Sequence, residues 1–214
     1  SWPAQDFSAI GKAILSNLDW KNAPIGVHNV GLSAQYRLGP KRLSLSQIEG
    51  RVLGGSVTGD AEVANWLNPQ PASKNPKEKR TEPQTGIVHL RFKDLSAAEI
   101  AAAVSTPSRP FQRIKPAGLA SGSVEASWKD AIRNTEARFI GDVVPPANSA
   151  HAQFPLTAHA QGIYRPGPGE LELADLIAST RATQVQASGT LSSSAALKLS
   201  VTTTDLGEWQ PVFE

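Results

Sequence analysis

The feature that most constrains this chain is a stretch written twice. YRLGPKRLSL runs from Tyr36 to Leu45 and YRPGPGELEL from Tyr164 to Leu173, with Tyr, Arg, Gly, Pro, Leu and Leu at the same positions and no gap. Each copy reads as strand, tight turn, strand, because proline fixes its own backbone and removes a ladder donor. The likeness extends on both sides. Leu32-Ser33-Ala34-Gln35 stands where Ala160-Gln161-Gly162-Ile163 stands, and GGSVTGDAEVA parallels ATQVQASGTLS, with Val57 matched to Val185. SGSVEASWKDA, from Ser121, is a third echo. The repeated blocks are 30–66 and 158–202. A supersecondary unit that recurs marks a fold that grows by addition, each unit extending the sheet edge left by the last. Residues 1–214 are therefore read as one repetitive β unit.

Period-two alternation supports that reading along most of the chain. Leu32, Ala34, Tyr36 and Leu38 share a face, as do Leu53, Val57, Ala61 and Val63. The same holds for Val88, Leu90 and Phe92, for Val124, Ala126 and Trp128, for Ala137, Phe139, Gly141 and Val143, and for Leu197, Leu199 and Val201. Glycines within these runs, such as Gly54, Gly55 and Gly59, point to bulges or bends. Two segments read as helix. In 4–18, Phe7, Ile10, Ile14 and Leu18 are spaced by three and four, with Asp6 as a cap. In SAAEIAAAV, Ser96 followed by Glu99 is a capping box ahead of an alanine run. Residues 67–86 carry four prolines and read as a long flexible loop.

Composition narrows the function classes. The balance of 21 basic and 19 acidic residues gives no clustered charge for nucleic acid. The one dense basic run, Lys74 to Arg80, sits among prolines and reads as a solvated loop or a contact for anionic headgroups. There is no cysteine, hence no disulfide or thiolate metal site. There is no methionine either, so Ser1 is expected to follow a processed or excised upstream segment. No apolar run is long enough to span a bilayer as a helix.

Catalytic patterns are missing. His28, His89, His151 and His159 show no short metal-ligand spacing and read as surface or hydrogen-bonded residues. Glu170 and Glu172 alternate with Leu171 and Leu173, which is a solvated face rather than an acid–base pair. The chain has no nucleophile elbow, phosphate loop or dinucleotide fingerprint. Of the tryptophans, Trp20, Trp66 and Trp209 fall near element ends and read as caps; Trp2 and Trp128 complete the set. The expectation is a non-catalytic protein without cofactor or metal.

Small side chains dominate the apolar phase. They can fill a flat sandwich, but not a wide curled sheet, whose inner face would stay open as an apolar trough suited to acyl chains. The candidate lipid-binding residues are Leu53, Val57, Val124, Trp128, Phe139, Val143, Leu197, Leu199 and Val201.

The strands GGSVTGDAEV and AGLASGSVEASW, the helix SAAEIAAAV and the ending TTTDLGEWQP resemble the periplasmic part of AsmA-like proteins, the superfamily that includes TamB. The resemblance implies a mainly β fold: an elongated, curled antiparallel sheet (a β-taco groove) of repeated hairpins, with two short helices. It also implies the periplasm of a Gram-negative-type bacterium and an inner-membrane anchor in the full-length protein. The implied partners are phospholipid acyl chains moving between the inner and outer membranes, and an outer-membrane assembly partner. The alternative is a β-sandwich interaction or carbohydrate-binding module with an exposed aromatic platform.

Overall fold

The computed structural model describes residues 6–22, 25–67, 82–103, 116–146, 154–192 and 194–209. The long loop and basic run between 68 and 81, and His151, lie outside the described residues. The strands are β1 (Ala9–Asn22), β2 (Ile25–Leu38), β3 (Arg42–Val52), β4 (Gly55–Ala64), β5 (Thr85–Ser96), β6 (Pro116–Ala117), β7 (Leu119–Lys129), β8 (Glu136–Val144), β9 (Phe154–Pro155), β10 (Thr157–Arg165), β11 (Glu170–Ser179), β12 (Thr183–Leu191) and β13 (Ala196–Thr203), with one helix, α1 (Ala97–Ala103). Eleven strands form one open antiparallel sheet in the order β1-β2-β3-β4-β5-β7-β8-β10-β11-β12-β13. The short β6 and β9 pair separately and in parallel. Because nearly every neighbour in the sheet is a neighbour in sequence, the sheet grows by hairpin addition, as the repeat requires. No second large sheet faces it among the described residues.

The repeat is visible in the register. Tyr36 pairs with Leu45, and the row continues through Ala61, Val88, Ala126 and Ala137 to Tyr164. The two copies thus put the same residue on the same face and row. Both turns fall where expected: the Gly39 N–H donates to Arg42 O (2.8 Å) and the Gly169 N–H to Pro166 O (3.2 Å). The third strand of the unit is shifted. Val57 lies in the row of Ala187, while Val185 lies one pleat further along the same face, so the gapless match of Val57 to Val185 is corrected by two residues.

Two other expectations are overturned and a third is refined. The segment read as an N-terminal helix is strand β1. A spacing of four is one helical turn and also two strand periods, so Ile10 and Ile14 satisfy both, while the ladder shift before Leu18 carries Leu18 to the other face. The partner strand β2, paired from Ala9↔Leu38 to Leu15↔Leu32 without a break, selects the strand. Leu53 is not in a strand. With φ 50° at Leu53 and 75° at Gly54, the pair forms the left-handed two-residue turn that joins Val52 to Gly55. The glycine expectation holds at Gly54, in the sharp β3–β4 turn, and at Gly59, Gly122, Gly162 and Gly189, which flank ladder shifts, but polar residues supply left-handed positions on the bulged strands. Asn17, Gln47 and Asp94 hold left-handed φ of 54°, 50° and 57° beside shifts in β1, β3 and β5.

Helix α1 forms where SAAEIAAAV placed it. The Ser96 hydroxyl accepts the Glu99 N–H at 3.3 Å, one half of the capping box. The other half is replaced, because the Ser96 N–H donates to Leu53 O (2.8 Å) and so ties the helix start to the β3–β4 turn. The Ala97 N–H donates to Gly118 O (2.9 Å), and Leu95, Ala97, Ala103, Ala117 and Ala120 are buried together there. This alanine cluster, at one end of the central strands, gathers five of the eight buried apolar residues among those described.

Candidate functional site

The sheet has two chemically different faces, because paired residues in antiparallel strands project to the same side. One transverse row runs from Leu15 through Leu32, Gly50 and Val57 to Phe92. It continues through Gly122, Gly141, Ala160, Leu176 and Ala187 to Leu199. Every strand contributes and no residue in the row is polar. The next row carries Leu90, Val124, Phe139, Leu173 and Leu197, and a third carries Leu95, Val143, Ala178, Val185 and Val201. Ten steps of about 4.8 Å make this apolar surface on the order of 50 Å across.

Eight of the nine residues singled out in the sequence lie on this face: Val57, Val124, Trp128, Phe139, Val143, Leu197, Leu199 and Val201. Leu53, in its turn, does not belong to the rows. Sequence periodicity also held Leu90, Phe92 and Tyr36, which complete the surface. Leu15, in the misread helix, was missed.

The face lacks an ordinary core. Among the described residues no large side chain is fully buried, and the buried apolar residues are mostly alanines, with Ile48 and Leu95. Leu199 and Val201 are 63% and 57% exposed at the β13 edge. Helix α1 and β6 close one end: a methyl group placed on Gly118 would collide with Val143 and lie 3.5 Å from Ala97 Cβ.

Aromatic rings lie flat on this face, each over a glycine directly opposite on a neighbouring strand. Tyr36 covers Gly11, Trp128 covers Gly86, Phe92 covers Gly122 and reaches Gly141, and Phe139 covers Gly162. The glycines make room for rings, and Gly122 and Gly162 do so beside ladder shifts. The face therefore stays low where large side chains would stand proud. The indole N–H of Trp128 is buried without a hydrogen-bond partner among the described residues.

The opposite face is mixed: it carries the charged side chains of the sheet, interspersed with exposed Ile10, Ile14, Ile87, Ile140, Val144 and Ile177. His89 lies between Asp60 (3.1 Å) and Glu125 (3.9 Å), and His159 contacts Asp142 at 2.7 Å, each across neighbouring strands. At the Pro166–Gly169 turn, Arg165 bridges Glu170 (2.6 Å), Glu172 (3.1 Å) and Glu136 (3.3 Å), joining β8, β10 and β11. Hydrogen bonding from Arg138, with a further contribution from Arg165, holds the Glu136 carboxyl below the usual carboxylate range. Its three carboxylate partners raise Arg165. Glu170 and Glu172 are thus ion-paired, a link that residue spacing did not reveal. A depression of about 480 Å³ opens at β1–β4; its lining combines Leu15, Leu32, Gly50 and Val57 of the apolar row with the residues flanking them, among them Ile14, Ser33, Glu49 and Arg51.

Of the tryptophans, Trp66 follows β4 and ties it to the β2–β3 turn, its indole N–H donating to Gly39 O at 2.8 Å. Among the described residues no group of three or more His, Asp or Glu side chains is arranged to hold a metal ion, and no helix is long and apolar enough to cross a membrane. No family model, curated protein or solved structure matches the chain.

Proposed function

We propose that the apolar face binds phospholipid acyl chains, and that the protein is a non-catalytic module conducting lipid between the inner and outer membranes of a Gram-negative-type envelope. The observation that carries this reading is the continuous apolar row from Leu15 to Leu199, on a sheet with no packed layer over it among the described residues. An acyl chain needs continuous apolar surface and no hydrogen bonds, and the rows offer both across eleven strands. Curling of the sheet around the lipid would complete a groove of the AsmA-like, TamB-like kind. On this reading the full-length protein is anchored in the inner membrane, works in the periplasm, and hands its cargo to an outer-membrane assembly partner.

Val124 lies mid-sheet, between Leu90 and Phe139. A Val124→Asp carboxylate under an acyl chain would lose its water without gaining a partner, at a cost of several kcal/mol. Phospholipid retained after incubation with phosphatidylethanolamine–phosphatidylglycerol vesicles and gel filtration should fall at least tenfold. Circular dichroism should show the sheet retained. Unchanged lipid retention in a folded Val124→Asp protein would overturn the assignment.

A further inference from the structure

We infer that β13 is the docking edge for a second copy of this chain, the two β13 strands pairing antiparallel about a twofold axis normal to the sheet. The inference rests on edge geometry and stands apart from the lipid reading.

The two edges differ. β1 is irregular, with ladder shifts between Leu15 and Leu18 and between Leu18 and Trp20, and with Asn17 at φ 54°. Bulges of this kind blunt an edge against pairing. β13 is regular, paired to β12 from Thr183↔Thr203 to Thr190↔Ala196 without a shift. It has no proline, and Lys198 is its one charge. Residues 196–202 are all exposed. After β13 the chain folds back over the β11–β12 turn, where Glu208 accepts hydrogen bonds from Thr180 (2.6 Å) and Thr183 (3.0 Å), and leaves the outer edge of β13 unpaired among the described residues.

Strand parity selects the partner. With eleven alternating strands, β1 and β13 run in the same direction. A second copy brought β1 to β13 in the same orientation would pair in parallel. Turning it over restores the antiparallel order but puts its apolar face on the wrong side. A twofold normal to the sheet keeps both the antiparallel ladder and one continuous apolar face, at either edge, and the bulges of β1 leave β13–β13 as the regular, self-complementary pairing that a twofold dimer requires.

Residue chemistry selects the register. Apolar must face apolar, so the axis passes through a residue rather than between two. An axis at Lys198 would set two ammonium groups face to face. An axis at Leu199 pairs Leu199 with itself, Leu197 with Val201, and Lys198 with Ser200.

The absence of cysteine makes the test direct. Analytical ultracentrifugation should show a concentration-dependent dimer of two 22.7 kDa chains. Leu199→Cys should form a disulfide-linked dimer under mild oxidation. Leu197→Cys and Val201→Cys should cross-link when mixed and much less alone. On the other face, Ser200→Glu places an acid opposite Lys198 twice per dimer and should tighten it roughly twofold to thirtyfold, while Ser200→Lys should weaken it by a similar factor. Neither variant touches the apolar rows, so lipid retention should be unchanged and the two proposals can fail separately. A monomer at all concentrations would overturn the inference. So would a dimer that cross-links through Lys12→Cys on β1 and not through Leu199→Cys.

Discussion

Replacing Gly86 with alanine tests whether rings lying on glycines hold this sheet together. Gly86 is paired with Trp128, and the three atoms nearest a methyl group built there all belong to the Trp128 indole, too close for both to fit. The methyl must lift the ring. One indole face is roughly half of the ~200 Å² that a tryptophan buries, so uncovering it costs about 2.5 kcal/mol at ~25 cal/mol per Å². Gly86 is not in the left-handed region, so removing its backbone freedom returns about 0.5–1 kcal/mol. The net expectation is a loss of about 1.5–2 kcal/mol. In a Trp128→Ala background the same change meets no ring, and its sign should reverse to a gain of about 0.5–1 kcal/mol. Urea unfolding followed by far-ultraviolet circular dichroism on the four proteins of this cycle gives the coupling directly. A Gly86→Ala protein as stable as the parent, with Trp128 present, would refute the reasoning.

Other substitutions test the ends of the sheet. Partial burial pushes the Glu208 carboxyl up, but hydrogen bonds from Thr180, Thr183 and the backbone at Ala182 and Arg181 outweigh it and hold the group below its ordinary value. A carboxyl held low in the folded state contributes stability above its unfolded value of 4.5 and loses that contribution as pH falls through its folded value. Glu208→Gln should therefore be destabilised near neutral pH and show a flatter acid limb below pH about 4.5 in thermal melts; an unchanged acid limb would count against the lock. Ser96→Ala removes the acceptor of the Glu99 N–H and should cost about 1 kcal/mol, read as a loosening of α1 by hydrogen exchange at 97–103. Exchange no faster than in the parent would mean that the tie from Ser96 N–H to Leu53 O alone fixes the helix start.

How much was legible in the sequence depends on which physical signal each residue carried. Strands with strict alternation, such as Val88-Leu90-Phe92, were readable because one face is apolar and the other wet. The Gly-Pro hairpins were readable because proline and glycine specify their own backbone. The N-terminal segment was not, since a spacing of four fits both periods and only pairing with β2 decides between them. Leu53 failed for a different reason: a left-handed Leu-Gly turn lacks the asparagine or aspartate that announces such turns. The apolar face was legible residue by residue, yet the ring-on-glycine pairs depend on register across strands. The same is true of Arg165, whose partners Glu136 and Glu172 become neighbours through β8 and β11.

The most direct test of the central claim is native mass spectrometry of the purified 214-residue chain after exposure to phospholipid vesicles, with solvent extraction of the same sample. Acyl-chain binding on the apolar face should give discrete phospholipid adducts at near-stoichiometric level, lost in Val124→Asp. A chain that stays at its bare mass, folded and lipid-free, would contradict it.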